Sequence, residues 1–110
     1  MSTPEGAIVR ACLDYLHAVG ITAWRNNTGA VNVVDVRGRD RFIRYGHVGS
    51  SDIIGYLPGG RALFVECKTM RGKLSPKQAE FLKAAEAAGC CAIVARSVDD
   101  LIYELGEALK

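Results

Sequence analysis

Apolar residues recur at helical spacing in the first segment of the chain, between Ser2 and Gly20. A Ser/Thr cap candidate, Pro4 in the first turn and the closing glycine predict a helix here. Its apolar face comprises Ile8, Val9, Cys12, Leu13, Leu16 and Val19. Helical projection places Glu5 on the same face, where a carboxylate is unexpected. The alternative is a solvated Glu5 that the helix dipole favours.

Short apolar runs separated by turn residues predict a series of strands in the middle of the chain. The predicted strands are 21–27, 31–36, 41–46, 48–57 and 61–68. An Arg-Gly-Arg-Asp turn between the second and third runs indicates a hairpin. A Pro-Gly-Gly turn joins the last two runs so tightly that they are predicted to pair antiparallel. Trp24, within the first run, is expected to lie in the core rather than to stack on a base.

A second helix is clearly indicated over residues 74–89. Ser75 is its predicted N-cap, Pro76 occupies the first turn, and Gln78 completes a capping box. The fully apolar run that follows, residues 90–95, predicts a strand in the buried interior of a sheet. Because strand, helix and strand follow one another here, a right-handed parallel crossover is expected.

The chain closes with a third predicted helix, which is capped by Ser97 and has Asp100 at its N3 position. The full order of elements predicts an α/β sandwich around one mixed sheet. With 110 residues, of which 49% are hydrophobic, the chain suits one compact domain over residues 1–110.

Composition also indicates the cellular compartment in which the protein is expected. No apolar run approaches the roughly 18 residues of a transmembrane helix, so no membrane association is expected. The four cysteines, Cys12, Cys67, Cys90 and Cys91, form no C-x-x-C motif. They are interpreted as reduced core residues of an intracellular protein, in the cytoplasm or nucleoid.

Three charged residues, Asp52, Glu66 and Lys68, interrupt two of the predicted strands. Charged side chains are rarely buried unless they are paired or hold a metal. Alternation along Phe64-Val65-Glu66-Cys67-Lys68 places Glu66 and Lys68 on one face, and the tight connection brings Asp52 opposite or diagonal to Glu66. Two carboxylates at strand ends suit Mg²⁺ or Mn²⁺, and a neighbouring lysine can stabilise developing phosphate charge.

Two other features bear on this cluster. Glu5 is a candidate third carboxylate if its helix reaches the same strand ends. The alternative for the cluster as a whole is a cross-strand ion pair in which Asp52 or Glu66 contacts Lys68.

The order of these elements is more specific than the charged residues alone. Gly-x-x-Asp is followed by Gly-Gly, an apolar strand ending in Glu-x-Lys, and a basic turn into a capped helix. This pattern resembles the PD-(D/E)-x-K nuclease superfamily, with Ser-Ser-Asp where Pro-Asp often stands. More narrowly, the chain resembles a stand-alone VRR-NUC domain, the virus-type replication–repair nuclease. The resembling segments are AWRNNTGA, RYGHVGSSDIIGYLPGG, ALFVECKT and GKLSPKQAEFLKAAEAAG, and they cover most of the chain.

The resemblance implies a fold and an activity. The fold is the restriction-endonuclease-like αβββαβ sandwich, with a central mixed sheet flanked by helices. The activity is Mg²⁺- or Mn²⁺-dependent hydrolysis of DNA phosphodiester bonds, often at branched structures such as Holliday junctions or flaps. A homodimer and a role in DNA repair are also implied, and a phage origin is compatible with the resemblance.

The resemblance also implies roles for individual residues. Asp52, Glu66 and the backbone carbonyl of Cys67 become metal ligands, and Lys68 becomes the catalytic lysine. Glu5 matches an acidic position on the first helix and is a candidate metal ligand. Gln78 matches a glutamine near the catalytic site, although the capping box alone also explains it.

Basic residues are concentrated where they could contact DNA phosphates, which dominate affinity for DNA. The candidates are Arg25, Arg37, Arg39, Arg41, Arg44, Arg71 and Lys73. A solvated hairpin is the alternative for the arginines between 37 and 44. Two other functions remain open at this stage: a non-catalytic nucleic-acid-binding module on the same fold, and a sequence-specific restriction-type endonuclease.

Overall fold

The computed structural model describes residues 3–110. Its elements are α1 (Pro4–Ala18), β1 (Thr22–Arg25), β2 (Gly29–Val34), β3 (Asp40–Tyr45), β4 (Ile53–Tyr56), β5 (Ala62–Cys67), α2 (Pro76–Ala87), β6 (Cys91–Ala95) and α3 (Val98–Ala108). Within these residues, no helix combines the length and the apolar character needed to cross a membrane.

Four of the strands form one mixed sheet in the order β1-β4-β5-β6. The pairs β1–β4 and β4–β5 are antiparallel, whereas β5 and β6 are parallel and are connected through α2. The predicted antiparallel pairing and the predicted parallel crossover are both confirmed. The strands β2 and β3 form a separate two-stranded hairpin.

The hydrophobic core lies on one face of the sheet, beneath α1 and α3. The helices contribute Val9, Cys12, Leu16, Leu101 and Leu105, and the strands contribute their alternate apolar residues, among them Ile53, Leu63, Val65 and Cys67. Part of the other face is covered by α2, which packs on β6 and contacts β5 where Phe81 meets Phe64 edge to face. The predicted α/β sandwich with a mixed sheet flanked by helices is therefore confirmed.

The three helix caps agree with the caps that the sequence predicts. Thr3 Oγ1 accepts from the Gly6 amide at the start of α1. In α2, Ser75 and Gln78 form the predicted capping box. Ser97 Oγ accepts from the Asp100 amide at the start of α3. Since each cap uses only local backbone donors, neighbours in sequence are sufficient to specify it.

Two predictions of burial are wrong. Val19 is 49% exposed, because α1 ends at Ala18 and Val19 is its C-cap, beyond the helical projection. Trp24 is also 49% exposed. Its side chain lies on the face of β1 opposite to the face that buries Ala23. On this face of the sheet, α2 covers β5 and β6 only, so this helix leaves β1 uncovered.

The hairpin extends from the body of the domain. Every residue in its two strands is exposed. Its turn is organised by Asp35, whose Oδ1 accepts from the amides of Arg37 and Arg39. These hydrogen bonds, together with one from Arg41, lower the pKa of Asp35. The predicted strand 48–57, which includes Asp52, is shorter in the structure: β4 begins at Ile53, directly after Asp52, because Gly46 and Gly49, both with positive φ, form a loop before it.

Candidate active site

The register of β4 and β5 brings the two predicted carboxylates together. Ile53 lies opposite Val65, so the same register continued by one residue places Asp52 opposite Glu66. Both residues lie on the α2 side of the sheet, since Ile53 and Val65 face the core. Asp52 Oδ2 accepts a hydrogen bond of 2.8 Å from the Cys67 amide. The Asp52 carboxylate is thereby held against the end of β5.

One carboxylate oxygen of Glu66 is buried without a hydrogen-bond partner within residues 3–110. The Glu66 side chain is 1% exposed, and its Oε2 has no hydrogen-bond partner among the described residues. Burial, followed by the nearby Asp52 carboxyl, raises the pKa of Glu66 to about 8. The positive charge of Lys68 partly opposes this rise, and the charge of Glu5 adds to it slightly. A buried oxygen with no partner is costly, so this site is incomplete as a purely structural arrangement.

Lys68 is near this pair but is not locked to it. No ion pair of Lys68 with Asp52 or Glu66 is formed in the part of the chain that the structure describes. Its backbone amide donates to the Ala95 carbonyl at 3.0 Å and so extends the β5–β6 pairing by one residue. The cross-strand ion pair that would have explained the cluster structurally is therefore not present.

The side chain of Cys67 points to the opposite face of the sheet. It is fully buried against Cys12 of α1. A hydrogen bond with Cys12, and then burial, raises the pKa of the Cys67 thiol. The thiol therefore packs α1 against β5 behind the carboxylates, and only the backbone of Cys67 is available on their side.

Glu5 lies in the first turn of α1 and is partly buried. It is near enough to raise the pKa of Glu66. It does not complete a three-carboxylate cluster: within residues 3–110, no group of three or more His, Cys, Asp or Glu side chains is arranged to hold a metal ion. The structure thus places Glu5 close to the pair but outside a shared ligand set.

Gln78 forms the predicted capping box. Its Oε1 accepts from the Ser75 amide at 2.9 Å, and its own amide donates to Ser75 Oγ at 3.1 Å. The capping interpretation of Gln78 is confirmed. Because Oε1 makes the cap, the side-chain amide nitrogen is the group that any role at the site would use.

Asn26 and Arg96 hold the framework of the site. The resemblance places Asn26 in a segment near the substrate, with a satisfied strand end as the alternative, whereas the sequence did not single out Arg96. Asn26 donates through Nδ2 to Ser50 Oγ and the Ser51 carbonyl, at 2.7 and 3.0 Å, and its backbone amide donates to the Asp52 carbonyl at 2.7 Å. Arg96 donates through Nη1 to the Thr69 carbonyl at 2.7 Å, in the loop after Lys68. For Arg96, the only sequence signal was its place at the end of a strand.

The basic residues proposed for DNA binding are all exposed. They are Arg25, Arg37, Arg39, Arg41, Arg44, Arg71 and Lys73. Arg41 pairs with Asp35 at 3.0 Å, and the Arg44 guanidinium lies 5.4 Å from the centroid of the Phe42 ring. Because the turn interrupts the strand, the arginines do not form one row along a single strand face.

An aromatic contact connects the loop before β4 to the same face of the sheet. The His47 ring lies 5.6 Å from that of Phe81, which is 5.0 Å from Phe64, two residues before Glu66. A cavity of about 480 Å³ is lined by His47, Lys77 and Phe81, among others, but by none of the carboxylates. Asp52 and Glu66 therefore lie outside this cavity.

The donor atoms at the strand ends are oxygens. The two carboxylates and the Cys67 backbone carbonyl are the type of donor that hard divalent cations prefer. The unpartnered Glu66 oxygen fits such an ion, because a cation would compensate a buried carboxylate that Lys68 compensates only in part.

Comparison with known proteins agrees with this geometry. The model of a family described as the VRR-NUC domain matches residues 4–99. A solved structure titled "VRR_NUC domain" matches with a TM-score of 0.66 and 24% sequence identity, covering 93% of this chain and 97% of the other. At that identity the match concerns the fold, which is restriction-endonuclease-like. No curated protein matches the sequence.

Proposed function

The chain belongs to the VRR-NUC family and is a nuclease domain, and from this premise we propose that it is a Mg²⁺- or Mn²⁺-dependent DNA endonuclease. It would hydrolyse phosphodiester bonds in branched DNA, such as Holliday junctions or flaps. Sequence-independent phosphate contacts would position the substrate, so base identity would matter little.

One observation supports metal dependence above all others. Glu66 is buried beside Asp52 with an unpartnered Oε2 and a pKa raised to about 8. Two like charges in a buried site are unfavourable, and perturbed carboxyls of this kind are concentrated at functional sites. A bound cation would reverse the penalty by favouring the ionised form of both groups.

The proposed ligands are Asp52, Glu66 and the backbone carbonyl of Cys67. When bound there, a divalent cation supplies Lewis-acid polarisation of the phosphate and a more acidic water. The hydrogen bond from the Cys67 amide orients the Asp52 carboxylate. Glu5 adds negative charge near the site from α1 and remains a proposed contributor to metal affinity.

Lys68 is the proposed catalytic lysine. It follows Glu66 by two residues in β5 and its continuation, so both side chains emerge on the same face. With no ion pair to either carboxylate, its ammonium group is available to stabilise charge on the phosphate. Gln78 is proposed to assist through its amide nitrogen, since capping uses only Oε1.

DNA contacts are proposed on two sides of the carboxylates. Arg71 and Lys73 follow Lys68 in an exposed loop, and that loop is fixed by Arg96. Arg37 and Arg39 lie at the hairpin turn. Their positive charges would contact phosphates along the arms of a branched substrate.

A homodimer is proposed through the hairpin. A two-stranded hairpin is marginally stable by itself in water. The register places four side chains, those of Val31, Val33, Ile43 and Tyr45, on one of its faces, and each of them is exposed by more than a third. A second copy that covers this face would supply the missing packing, and a two-fold dimer would suit a junction with two symmetric strands to cut.

The alternatives have less support. A non-catalytic binding module needs neither a buried, unpartnered Glu66 nor a lysine beside it. A restriction-type endonuclease needs recognition elements beyond the core, and the only large extension in the described chain is the exposed hairpin.

A cleavage assay tests the proposal. The protein would be incubated with supercoiled plasmid, linear duplex, a flap and a four-way junction, with Mn²⁺, Mg²⁺ or a chelator. We expect cation-dependent cleavage of the branched substrates. Binding without cleavage in any cation would favour the binding module, whereas a fixed sequence at each cut in linear duplex would favour the restriction enzyme.

The matched control is Glu66→Gln, which preserves shape and removes one proposed ligand charge. Activity in the wild type but not in this variant would exclude a contaminating nuclease. Equal activity in both would contradict the site assignment.

A further inference from the structure

The half of the sheet next to the carboxylates carries exposed aromatic side chains. Trp24 on β1 and Tyr56 on β4 are 49% and 50% exposed. Both are on the face opposite the core, since their neighbours Ala23 and Gly55 are buried and pair with each other. The helix α2 covers the β5–β6 half of that face and leaves the β1–β4 half open.

The pairing registers place Trp24 in the row next to the proposed active site. Trp24 lies opposite Ile54, and Ile54 lies opposite Phe64. Two residues further along the strands, the same registers reach Asn26, Asp52 and Glu66, and the hydrogen bond from the Asn26 amide to the Asp52 carbonyl confirms the alignment. Along the strand direction, Trp24 is therefore about 7 Å from the row that contains Asp52 and Glu66, and it lies one strand, roughly 5 Å, to the side of Asp52.

This position suits one kind of ligand. A separation of about 7 Å along the strands is within the reach of one nucleotide, measured from its phosphate to its base. Aromatic side chains on an open sheet face are the groups on which unpaired bases stack, without regard to sequence. A paired base cannot use them, because its faces are already stacked within the duplex.

We propose that Trp24 is the stacking platform for an unpaired base adjacent to the phosphate that is cut. Tyr56 extends the same platform away from the carboxylates. The inference rests on the proposed nuclease function and narrows it: the preferred branched DNA contains unpaired nucleotides beside the cut, as a flap does and a fully paired four-way junction does not. Continuity of the platform with the carboxylate row favours DNA over a protein partner.

Trp24 is the only tryptophan in the chain, so its fluorescence reports directly on this face. Metal-free protein would be titrated with three DNAs of equal phosphate number: a duplex with an unpaired tail, the same DNA with abasic sites in the tail, and a blunt duplex. We expect marked quenching by the first DNA and little by the other two. Equal quenching by abasic and normal tails, or none by any DNA, would overturn the proposal. If Trp24 fluorescence were quenched by an increase in protein concentration in the absence of DNA, a second copy of the chain would be identified as the group that covers this face.

Variants provide the second measurement, read by anisotropy of labelled DNA. Trp24→Ala should weaken binding of the tailed duplex about 5- to 150-fold, the range expected for loss of one base stack. Trp24→Phe should restore most of it, which also guards against a folding defect in the alanine variant. Tyr103→Ala, which removes an exposed aromatic from α3, is the matched control and should bind as the wild type. Equal binding by Trp24→Ala and the control would contradict the proposal.

The proposed nuclease function and the proposed stacking platform can each be disproved without disproving the other. Tail-dependent quenching with no cleavage in Mn²⁺ or Mg²⁺ would retain the platform and remove the nuclease function. Cation-dependent cleavage of tailed DNA that is unchanged in Trp24→Ala would retain the nuclease function and remove the platform.

Discussion

The Asp52 carboxylate accepts a hydrogen bond from the Cys67 amide, with 2.8 Å between Oδ2 and the nitrogen. This bond fixes one carboxylate across the end of β5, beside the buried Glu66. The site is thus rigid on the Asp52 side and electrostatically unfavourable on the Glu66 side, a combination that a divalent cation would resolve.

Glu66→Gln should abolish cleavage and stabilise the metal-free protein at neutral and alkaline pH. The folded-state pKa of Glu66, about 8, lies above its ordinary value of 4.5. The folded state therefore holds the proton more tightly, and stability falls as pH rises through this interval. The variant lacks this loss of stability, which is on the order of 3–5 kcal/mol across the whole interval.

Thermal melts in chelator at about pH 5, near the lower end of the interval, and at about pH 9, above it, measure this difference. The melting temperature of the wild type should fall more than that of Glu66→Gln. Parallel pH profiles for the two proteins would show that Glu66 is not the buried, proton-binding group.

Lys68→Ala should reduce the cleavage rate by about 10²- to 10³-fold, as expected for loss of one group that stabilises transition-state charge. Metal affinity should be little changed, because the lysine is not a ligand. Calorimetry with Mn²⁺ would compare this variant with Asp52→Ala. If both variants lost Mn²⁺ binding equally, Lys68 would be a structural residue.

Glu5→Ala should increase the Mn²⁺ concentration needed for half-maximal cleavage, because Glu5 adds negative charge near Glu66. The helix-dipole contribution to stability is separate and costs about 0.3–1 kcal/mol. Asp14→Ala, on the same helix, is a control for general charge. A Mn²⁺ requirement identical to that of the wild type would identify Glu5 as a solvated helix-terminal acid.

Gln78→Ala should lower stability by about 1 kcal/mol through loss of the capping box. Gln78→Glu should restore stability, since a carboxylate oxygen can accept from the Ser75 amide in the same way. The Glu variant removes the amide donor, so the proposed role predicts slower cleavage at wild-type stability. If Gln78→Glu cleaved DNA at the wild-type rate, the only role of Gln78 would be in the capping box.

The exposed apolar face of the β2–β3 hairpin predicts that the protein forms a homodimer. Light scattering at micromolar concentration should give a dimer mass for the wild type and a monomer mass for Ile43→Lys, which charges the apolar face. Val36→Lys, at the fully exposed turn, is the matched control and should remain dimeric. A monomer mass for the wild type, alone and with junction DNA, would contradict the dimer.

Much of the fold was predictable because its signals are local. Thr3, Ser75 and Ser97 cap their helices through backbone amides three residues away. Alternation along β5 correctly separates Glu66 from the core residues Leu63 and Val65. The short connection between β4 and β5 correctly predicts antiparallel pairing, which makes the approach of Asp52 to Glu66 predictable as well.

By itself, the sequence determined which residues carry charge, which faces they take along each strand, and where helices begin. Only the tertiary structure decided what covers each face. Trp24 is exposed because α2 packs over β5 and β6 and leaves β1 open. The Oε2 atom of Glu66 is buried without a hydrogen-bond partner in the described part of the chain, and Glu66 is on β5, which lies inside the sheet between β4 and β6. Exposure depends on the packing of distant elements, and no periodicity within one segment contains that information.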